Sequence, residues 1–193
     1  MSNQVNLVGS VASDFVCSHS LYNETFYIFT LSVKRQSGQS DNIPLLVSER
    51  LIDVSKRCVG QCVCVRGEFR SHNQHDADKN RLKLYVFVNS IEFTEDNDNV
   101  NDAFLEGYIC KQPIYRHTPL GREIADVMLA VNRAYGKSDY IPCILWGRNA
   151  YYVRNLSAGS SLRVAGRIQS REYVKNDEIK TAYELSVNLL ELC

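Results

Sequence analysis

The chain has 193 residues, of which 45% are hydrophobic and 23% are charged. This composition is typical of a folded globular protein, and the length allows one large domain or two small domains of about 100 residues each. The 22 basic and 22 acidic side chains cancel, so the net charge gives no general signal for a polyanionic partner. No apolar run reaches the ~20 residues of a membrane span, and the N-terminus lacks the pattern of a secretory signal.

The cysteines indicate a reducing compartment. Their number, seven, is odd, and Cys62, Cys64, Cys110 and Cys143 lie inside strand-like apolar segments. Small buried thiols are expected there rather than a disulfide framework. We therefore predict a cytoplasmic protein.

The chain is internally duplicated. The segment SDNIPLLV at residues 40–47 returns as SDYIPCIL at residues 138–145, and VNSIEF at residues 88–93 returns as VNLLEL at residues 187–192. Glycines repeat at the same spacing as these segments. Gly9 matches Gly107, and Gly67 matches Gly166 once a single inserted residue is allowed for. A repeat of this length indicates two copies of one folding unit.

Each copy has the pattern of a small β-barrel. Short β-branched or alternating segments are separated by turn residues, and one helix is predicted in each copy, at residues 48–57 and 149–156. Gly107 and Gly166 lie inside strand-like runs, which indicates bulges or barrel bends. Five strands with a helix between the third and fourth are typical of the oligonucleotide/oligosaccharide-binding (OB) barrel. We predict an all-β protein with short helices and two tandem five-stranded OB folds: residues 1–93, an acidic linker at 94–103, and residues 104–193.

Alternation along two strands of copy two predicts a surface for nucleic acid. One face of the segment SSLRVAGRIQSREY carries the core residues, and the other face carries Arg163, Arg167, Arg171 and Tyr173. Tyr140 and Trp146 share the face opposite the core of their own strand. Exposed rings interleaved with cations are typical of proteins that bind single-stranded nucleic acid.

A purely structural interpretation competes with this one. Charged residues on an outer strand face are usually just solvated, and tyrosine suits any strand. For a single arginine such as Arg163 or Arg171, solvation is the better explanation. For Tyr140 and Trp146 together we favour a binding function, because large aromatic side chains do not normally point to water in pairs.

Copy two contains, in this order, the segments RHTPLGREIADVMLAVNR, YIPCILWGRNA and VAGRIQSREY. In their order and spacing these segments resemble the bacterial single-stranded DNA-binding protein (SSB) family, and the resemblance extends along essentially the whole length of copy two. The resemblance implies single-stranded DNA as the partner and four aromatic side chains that stack on its bases. Carried over position by position, these are Tyr135, Tyr140, Trp146 and Tyr173.

The resemblance also implies phosphate contacts for Arg116, Arg148 and Arg171. Together with the arginines on the strand faces, the expected set of cations is Arg116, Arg133, Arg148, Arg163, Arg167 and Arg171.

Copy one departs from this pattern. The four positions that carry rings in copy two are occupied by Ser37, Asn42, Ser48 and Gln74, and Glu68 stands where copy two has Arg167. The core pattern Val63, Val65, Gly67 and Phe69 persists. We therefore expect copy one to have kept the barrel and lost the DNA site.

Other clusters of reactive side chains are not expected to form sites. The loop SHNQHDAD contains His72, His75, Asp76 and Asp78, but nothing around them fixes a metal geometry. Cys62 and Cys64 lack a second ligand pair, and His117 with Cys110 lacks the third group and the oxyanion loop of a nucleophilic site. We expect no enzymatic activity, no metal and no cofactor.

These observations predict a protein that binds single-stranded DNA with little sequence preference in replication, recombination and repair, associated with the nucleoid. Because SSB proteins generally use four OB barrels, two barrels per chain imply a homodimer. The chain ends in NLLELC and not in the acidic tip with which SSB proteins recruit replication enzymes, so recruitment through such a tip is not expected. Two alternatives stay open: an interaction module similar to primosomal OB proteins that bridges proteins, and an OB protein for structured RNA.

Overall fold

The computed structural model describes residues 2–76, 79–96, 98–175 and 177–193, without the side chains of residues 75, 76, 79–81 and 175. The chain forms two compact units. The N-terminal unit contains residues 4–70 and 84–102, and the C-terminal unit contains residues 1–3, 71–83 and 103–193. Among the residues that are described, none of the helices has the length and apolar character needed to cross a membrane.

The N-terminal unit is built on a closed sheet. In chain order the strands are β1 (Asn3–Val11), β2 (Val16–Leu21), β3 (Glu24–Lys34), β4 (Ser40–Ser48), β5 (Cys62–Asp76) and β6 (Lys79–Phe93). Their order across the sheet is β2-β3-β4-β6-β5-β1, and a further pairing of β1 with β3 closes the barrel. The pair of β4 and β6 is parallel.

The C-terminal unit repeats this arrangement. Its elements are β7 (Asn101–Ile109), β8 (Ile114–His117), β9 (Glu123–Arg133), a 3-10 turn (Ala134–Gly136), β10 (Lys137–Trp146), α1 (Arg148–Val153), β11 (Ser161–Lys175) and β12 (Glu178–Leu192). The sheet order is β7-β11-β12-β10-β9-β8, β7 also pairs with β9, and β10 runs parallel to β12. Two tandem OB folds are thereby confirmed.

The strands differ from the sequence prediction at two places. Each copy has a sixth, short strand, β2 or β8, which forms an edge hairpin with β3 or β9. All residues of β2 are exposed. Because neither face of this strand is buried, its sequence lacks the alternation of apolar and polar residues from which a strand is predicted. Strand β7 begins at Asn101, inside the segment predicted as a linker.

Glycines allow the barrels to close tightly. A Cβ atom on Gly166 would lie 2.0 Å from the carbonyl oxygen of Ser186, and one on Gly107 would lie 2.3 Å from that of Ala130. Real Cβ atoms do not approach that closely, so only glycine permits these backbone contacts. The strand pairing also shifts its register between Ala165 and Gly166, and the extra residue of this bulge lies opposite them in β12, between Val187 and Leu189.

One of the two predicted helices forms. Helix α1 covers Arg148–Val153 with Ala150 and Val153 buried, close to the predicted range of 149–156. The helix predicted at residues 48–57 is wrong, because Ser48 ends β4 and the following residues form turns and bends. Asp53 Oδ1 accepts from the backbone N–H (3.2 Å) and the hydroxyl (2.6 Å) of Ser55, a local bonding pattern that competes with helix formation.

Candidate nucleic-acid interface

Strand register defines which side chains point away from the core of the C-terminal unit. Arg167 of β11 pairs with Ser186 of β12, and Ser186 pairs with Ile144 of β10. Directly paired residues point to the same face of a sheet, and every second residue along a strand shares it. The outer face, as we call this surface, therefore includes Tyr140, Trp146, Arg163, Arg167, Arg171 and Tyr173.

Three of the predicted stacking rings are accessible on this face. Tyr140 is 43% exposed, Trp146 39% and Tyr173 38%, whereas Ile141 and Leu145 between the first two are fully buried. The rings are thus held by strands whose other face is anchored in the core. Such half-exposed rings can offer a flat surface to a base without losing their position.

The fourth predicted ring is not on a strand. Tyr135 lies in the 3-10 turn between β9 and β10, with its side chain 97% exposed. Its backbone is left-handed (φ 62°), a conformation that ordinary side chains seldom adopt, and Gly136 beside it is also left-handed. The ring projects from the end of the hairpin and makes little contact with the barrel.

Most of the predicted arginines already contact a carboxylate. The pairs of Arg116 with Asp126 (2.9 Å) and of Arg163 with Glu106 (3.2 Å) are exposed. Exposed ion pairs contribute at most ~1 kcal/mol, so a phosphate can compete for these two cations. Arg171 is exposed but lies 4.0 Å from Glu184, whose side chain is buried, and this contact is the longest of the three. The hydrogen bond from Arg163 to Glu106 raises the pKa of the Arg163 guanidinium, which is therefore cationic at any relevant pH.

Arg133 has a different environment. Its guanidinium lies 3.6 Å from Asp139, whose side chain is almost fully buried. Asp139 also accepts the backbone N–H of Ser71 (2.9 Å). The matching pair of the N-terminal unit, Arg35 and Asp41, is closer (2.5 Å) and bidentate. The same pair in both copies indicates a structural role for Arg133 beside any contact with DNA.

Arg148 and Arg167 are the cations best placed for phosphates. Within the described part of the chain, no carboxylate lies at ion-pair distance from either. Arg167 contacts the side-chain oxygen of Gln169, at 3.4 Å. Both guanidinium groups are exposed and are available to bind an anion.

A fifth ring on the outer face is absent from the predicted set. Tyr108 of β7 is 47% exposed and pairs with Ala130 of β9, which in turn pairs with Tyr140. The sequence contains a signal for it, since buried Ala103, Leu105 and Gly107 alternate with outward residues and leave Tyr108 on the outer side.

Another aromatic cluster of this unit lies at helix α1. The guanidinium of Arg154 lies 3.5 Å from the centre of the Tyr151 ring and 5.8 Å from that of Tyr115. The hydroxyl of Tyr115 donates to Glu123 (2.5 Å), and this bond raises the Tyr115 pKa. These groups satisfy one another and hold the helix against the β8–β9 hairpin.

The N-terminal unit presents a different surface on the matching face. Ser48, at the position of Trp146, is buried and donates a hydrogen bond to Glu24. Two phenylalanines occupy the middle of this face instead: Phe26 stacks on His19, and Phe87 is covered by the guanidinium of Arg70 at 3.9 Å. These rings are already stacked on groups of the protein itself.

The remaining clusters from the sequence show no site among the residues that can be described. No group of three or more ligands that could hold a metal ion is found in that part of the chain. Of the histidine-rich loop, the side chains of His75 and Asp76 and all of Asp78 lie outside the description. Cys62 and Cys64 share one face of β5, as predicted, while Val63 and Val65 point into the core.

Comparison with known proteins places this unit in a family. The profile described as "Single-strand binding protein family" matches residues 100–193. The C-terminal half of the chain belongs to the single-strand binding protein family. The match includes all four predicted stacking rings and the fifth, Tyr108.

Curated relatives agree with this assignment. "Single-stranded DNA-binding protein 2" of Listeria monocytogenes is 39% identical over 85 residues, which are 40% of this chain and 53% of the relative. "Single-stranded DNA-binding protein 1" of Staphylococcus aureus is 39% identical over 95 residues, which are 46% of this chain and 56% of the relative. The chain thus spans about half the length of the curated single-stranded DNA-binding proteins that it matches.

Solved structures extend the likeness in fold to the whole chain. The wild-type single-stranded DNA binding protein from Thermus aquaticus aligns with a TM-score of 0.81 at 19% identity, covering 99% of this chain and 92% of that one. A deletion mutant of the same protein aligns with a TM-score of 0.78 at 20% identity. The tandem arrangement of two OB folds in one chain is therefore shared with that structure.

Proposed function

We propose that the protein binds single-stranded DNA, with little sequence preference, on the outer face of its C-terminal unit. One observation supports this most directly: Tyr140, Trp146 and Tyr173 are exposed on the same sheet face as an arginine row, in the half of the chain that belongs to the single-strand binding protein family. The curated relatives are named as single-stranded DNA-binding proteins, which agrees with this ligand.

Each group has a defined role in this proposal. Tyr135, Tyr140, Trp146 and Tyr173 stack on bases, and each stacked base contributes roughly 1–3 kcal/mol. Arg148 and Arg167 bind phosphates directly. Arg116 and Arg163 do so by exchanging their exposed carboxylate partners for a phosphate, and Arg171 by giving up its long contact with Glu184. Arg133 mainly positions β10 through Asp139. Because every base has a flat face, sequence preference is weak.

The cellular location, the processes served and the oligomeric state are part of the same proposal. The protein acts in the cytoplasm, associated with the nucleoid, in replication, recombination and repair. Two OB folds per chain would give a homodimer the four folds with which SSB proteins generally work. We also propose the domain limits predicted from the sequence. The DNA site lies in residues 104–193, and residues 1–93 carry a degenerate site.

Trp146 makes the proposal directly testable, because it is the only tryptophan of the chain. Titration with poly-dT at low salt should quench its fluorescence saturably, since a stacked base contacts the indole ring. Raising the salt should weaken binding, because phosphate contacts release counterions. An unchanged tryptophan signal and no binding by a folded protein at low salt would reject the proposal. A parallel titration with poly-U tests the RNA alternative, which requires tighter binding to RNA.

A further inference from the structure

We propose that Tyr108 and Tyr140 form a slot that holds one unpaired base between two tyrosine rings, with Ala130 as its floor. This inference rests on the proposed function and adds to it a binding residue and a specific mode of binding. The two rings lie on different strands and are far apart in the sequence.

The strand register creates the slot. Tyr108 of β7 pairs with Ala130 of β9, and Ala130 pairs with Tyr140 of β10, so the three residues form one row across the outer face. Neighbouring strands lie about 4.8 Å apart, which separates the two ring-bearing strands by about 10 Å. A base sandwiched between two rings needs two contacts of about 3.5 Å each, or roughly 7 Å. Small rotations of the tyrosines are enough to close the slot on a base.

Small residues keep the row compact and its centre open. Gly107 lets β7 approach β9, because a Cβ atom there would lie 2.3 Å from the carbonyl oxygen of Ala130. The side chain of Ala130 is a single methyl group and leaves the space between the rings free. A larger side chain at either position would fill or distort the slot.

The two rings have not collapsed onto one another. Tyr108 is 47% exposed and Tyr140 is 43% exposed. In the part of the chain that is described, no ring contact joins them. Two accessible rings on either side of an alanine leave room for a planar ligand.

The residues on either side of the slot suit a base, which has apolar faces and a polar edge. On one side the next pair in the register is Met128 with Pro142, which is apolar. On the other side it is Asn132 with Ser138, whose hydroxyl donates to the Asn132 side chain (3.1 Å). The two rings thus stack on the faces of a base, while Asn132 and Ser138 are available for hydrogen bonds with its polar edge.

The duplication provides an internal comparison. At the same register the N-terminal unit has Ser10 paired with Ser32, and Ser32 paired with Asn42. The row is kept, but both rings are absent. Tyr108→Ser and Tyr140→Asn therefore introduce residues that the same barrel already tolerates at these positions, which limits the risk of misfolding.

A double-mutant cycle on the full chain tests the slot. Binding of a fluorescein-labelled dT oligonucleotide is followed by anisotropy for the wild type, Tyr108→Ser, Tyr140→Asn and the double variant. Each single change should weaken binding about tenfold, since one stacking contact is lost. Because a sandwiched base needs both rings, the double variant should be only about twentyfold weaker, where independent rings would give about a hundredfold. Wild-type affinity for Tyr108→Ser, or full additivity, overturns the slot.

Control variants separate the slot from other causes. Tyr108→Phe should keep the affinity of the wild type, because stacking uses the ring and not the hydroxyl. Tyr152→Ser removes a ring that is 48% exposed on α1 and should leave binding unchanged. If Trp146→Ala weakens binding while Tyr108→Ser does not, the slot is wrong and the proposed function stands. If the folded wild type does not bind dT at all, both are wrong.

Discussion

At the scale of single residues, the arginines of the outer face differ in what they already contact. Arg163 is hydrogen-bonded to Glu106, whereas Arg167 contacts a neutral amide. A phosphate that binds Arg163 must displace a carboxylate, and one that binds Arg167 need not. We therefore expect the two arginines to contribute unequally to the proposed binding of DNA.

This difference predicts unequal salt dependence. Replacing Arg167 by glutamine should lower the slope of log K against log salt concentration by about 0.7, the value for one phosphate of a single strand. The matched variant Arg163→Gln should change the slope less, because Glu106 already neutralises that cation. Tryptophan titrations over a series of salt concentrations give both slopes. Equal slopes for the two variants would show that the ion pair with Glu106 does not matter in the complex.

The thiol of Cys143 allows a prediction about pH. Burial is the main cause that raises the Cys143 pKa, with Glu184 nearby adding to it. The folded protein therefore holds Cys143 as the neutral thiol, while an unfolded chain ionises it above its ordinary pKa of about 8.5. Below about pH 8.5 the thiol is neutral in both states and burying it has no pH-dependent cost. Above that pH the unfolded chain is stabilised by ionisation of Cys143, so the free energy of unfolding falls as the pH rises.

Alkylation should reveal this directly. At pH 9 iodoacetamide should modify the exposed Cys17 and Cys193 in the folded protein, and Cys143 only after denaturant is added. Peptide mass spectrometry identifies the labelled cysteines. Rapid labelling of Cys143 without denaturant would mean that the strand carrying it opens readily.

At the scale of secondary-structure elements, the sequence predicts best where one face is buried. The alternation in β10 and β11 gives the correct faces because Ile141, Leu145 and Ile168 reach the core. It cannot reveal β2, whose residues are all exposed and which is held only by pairing with β3. The helix wrongly predicted at residues 48–57 has a related cause. The hydrogen bonds that Ser55 donates to Asp53 join residues two apart and produce no periodic pattern in the sequence.

Gly166 of β11, which lies opposite the bulge of β12, should be sensitive to one added methyl group. Gly166→Ala places a Cβ 2.0 Å from a backbone carbonyl of β12, so the strands must separate. We expect a loss of roughly 1–3 kcal/mol in the free energy of unfolding, the usual cost of overpacking. Urea denaturation measures it through the transition midpoint. Gly121→Asn is the control: that glycine has open space around it and a left-handed backbone that asparagine accepts, so little change is expected. A wild-type midpoint for Gly166→Ala would contradict this account.

At the scale of the whole molecule, the duplication allowed the fold to be predicted and indicated which unit carries the proposed site. Two copies of one pattern gave the tandem barrels, and the loss of rings at Asn42 and Ser48 pointed to the C-terminal unit. Contacts between strands could not be predicted in the same way. The pairing of Arg116 with Asp126 and the row of Tyr108, Ala130 and Tyr140 depend on register, which one strand's own sequence does not contain.

The proposed homodimer has a simple test in solution. A chain of 22.0 kDa should sediment as a species of about twice that mass. Dilution should leave the mass unchanged over the concentration range in which DNA binding is measured. Sedimentation at the mass of one chain under those conditions would contradict the homodimer.

The glycines of barrel closure and the rings of the outer face are independent parts of the molecule. Gly9 and Gly67 make the same close backbone approaches in the N-terminal unit as Gly107 and Gly166 make in the C-terminal one, although the first unit has none of the four rings. The barrel therefore keeps its shape while its outer side chains change. This makes the N-terminal unit a natural scaffold for directed evolution. A library varied at Ser10, Ser32 and Asn42, with these glycines left untouched, should give a high proportion of folded variants from which new ligand specificities can be selected.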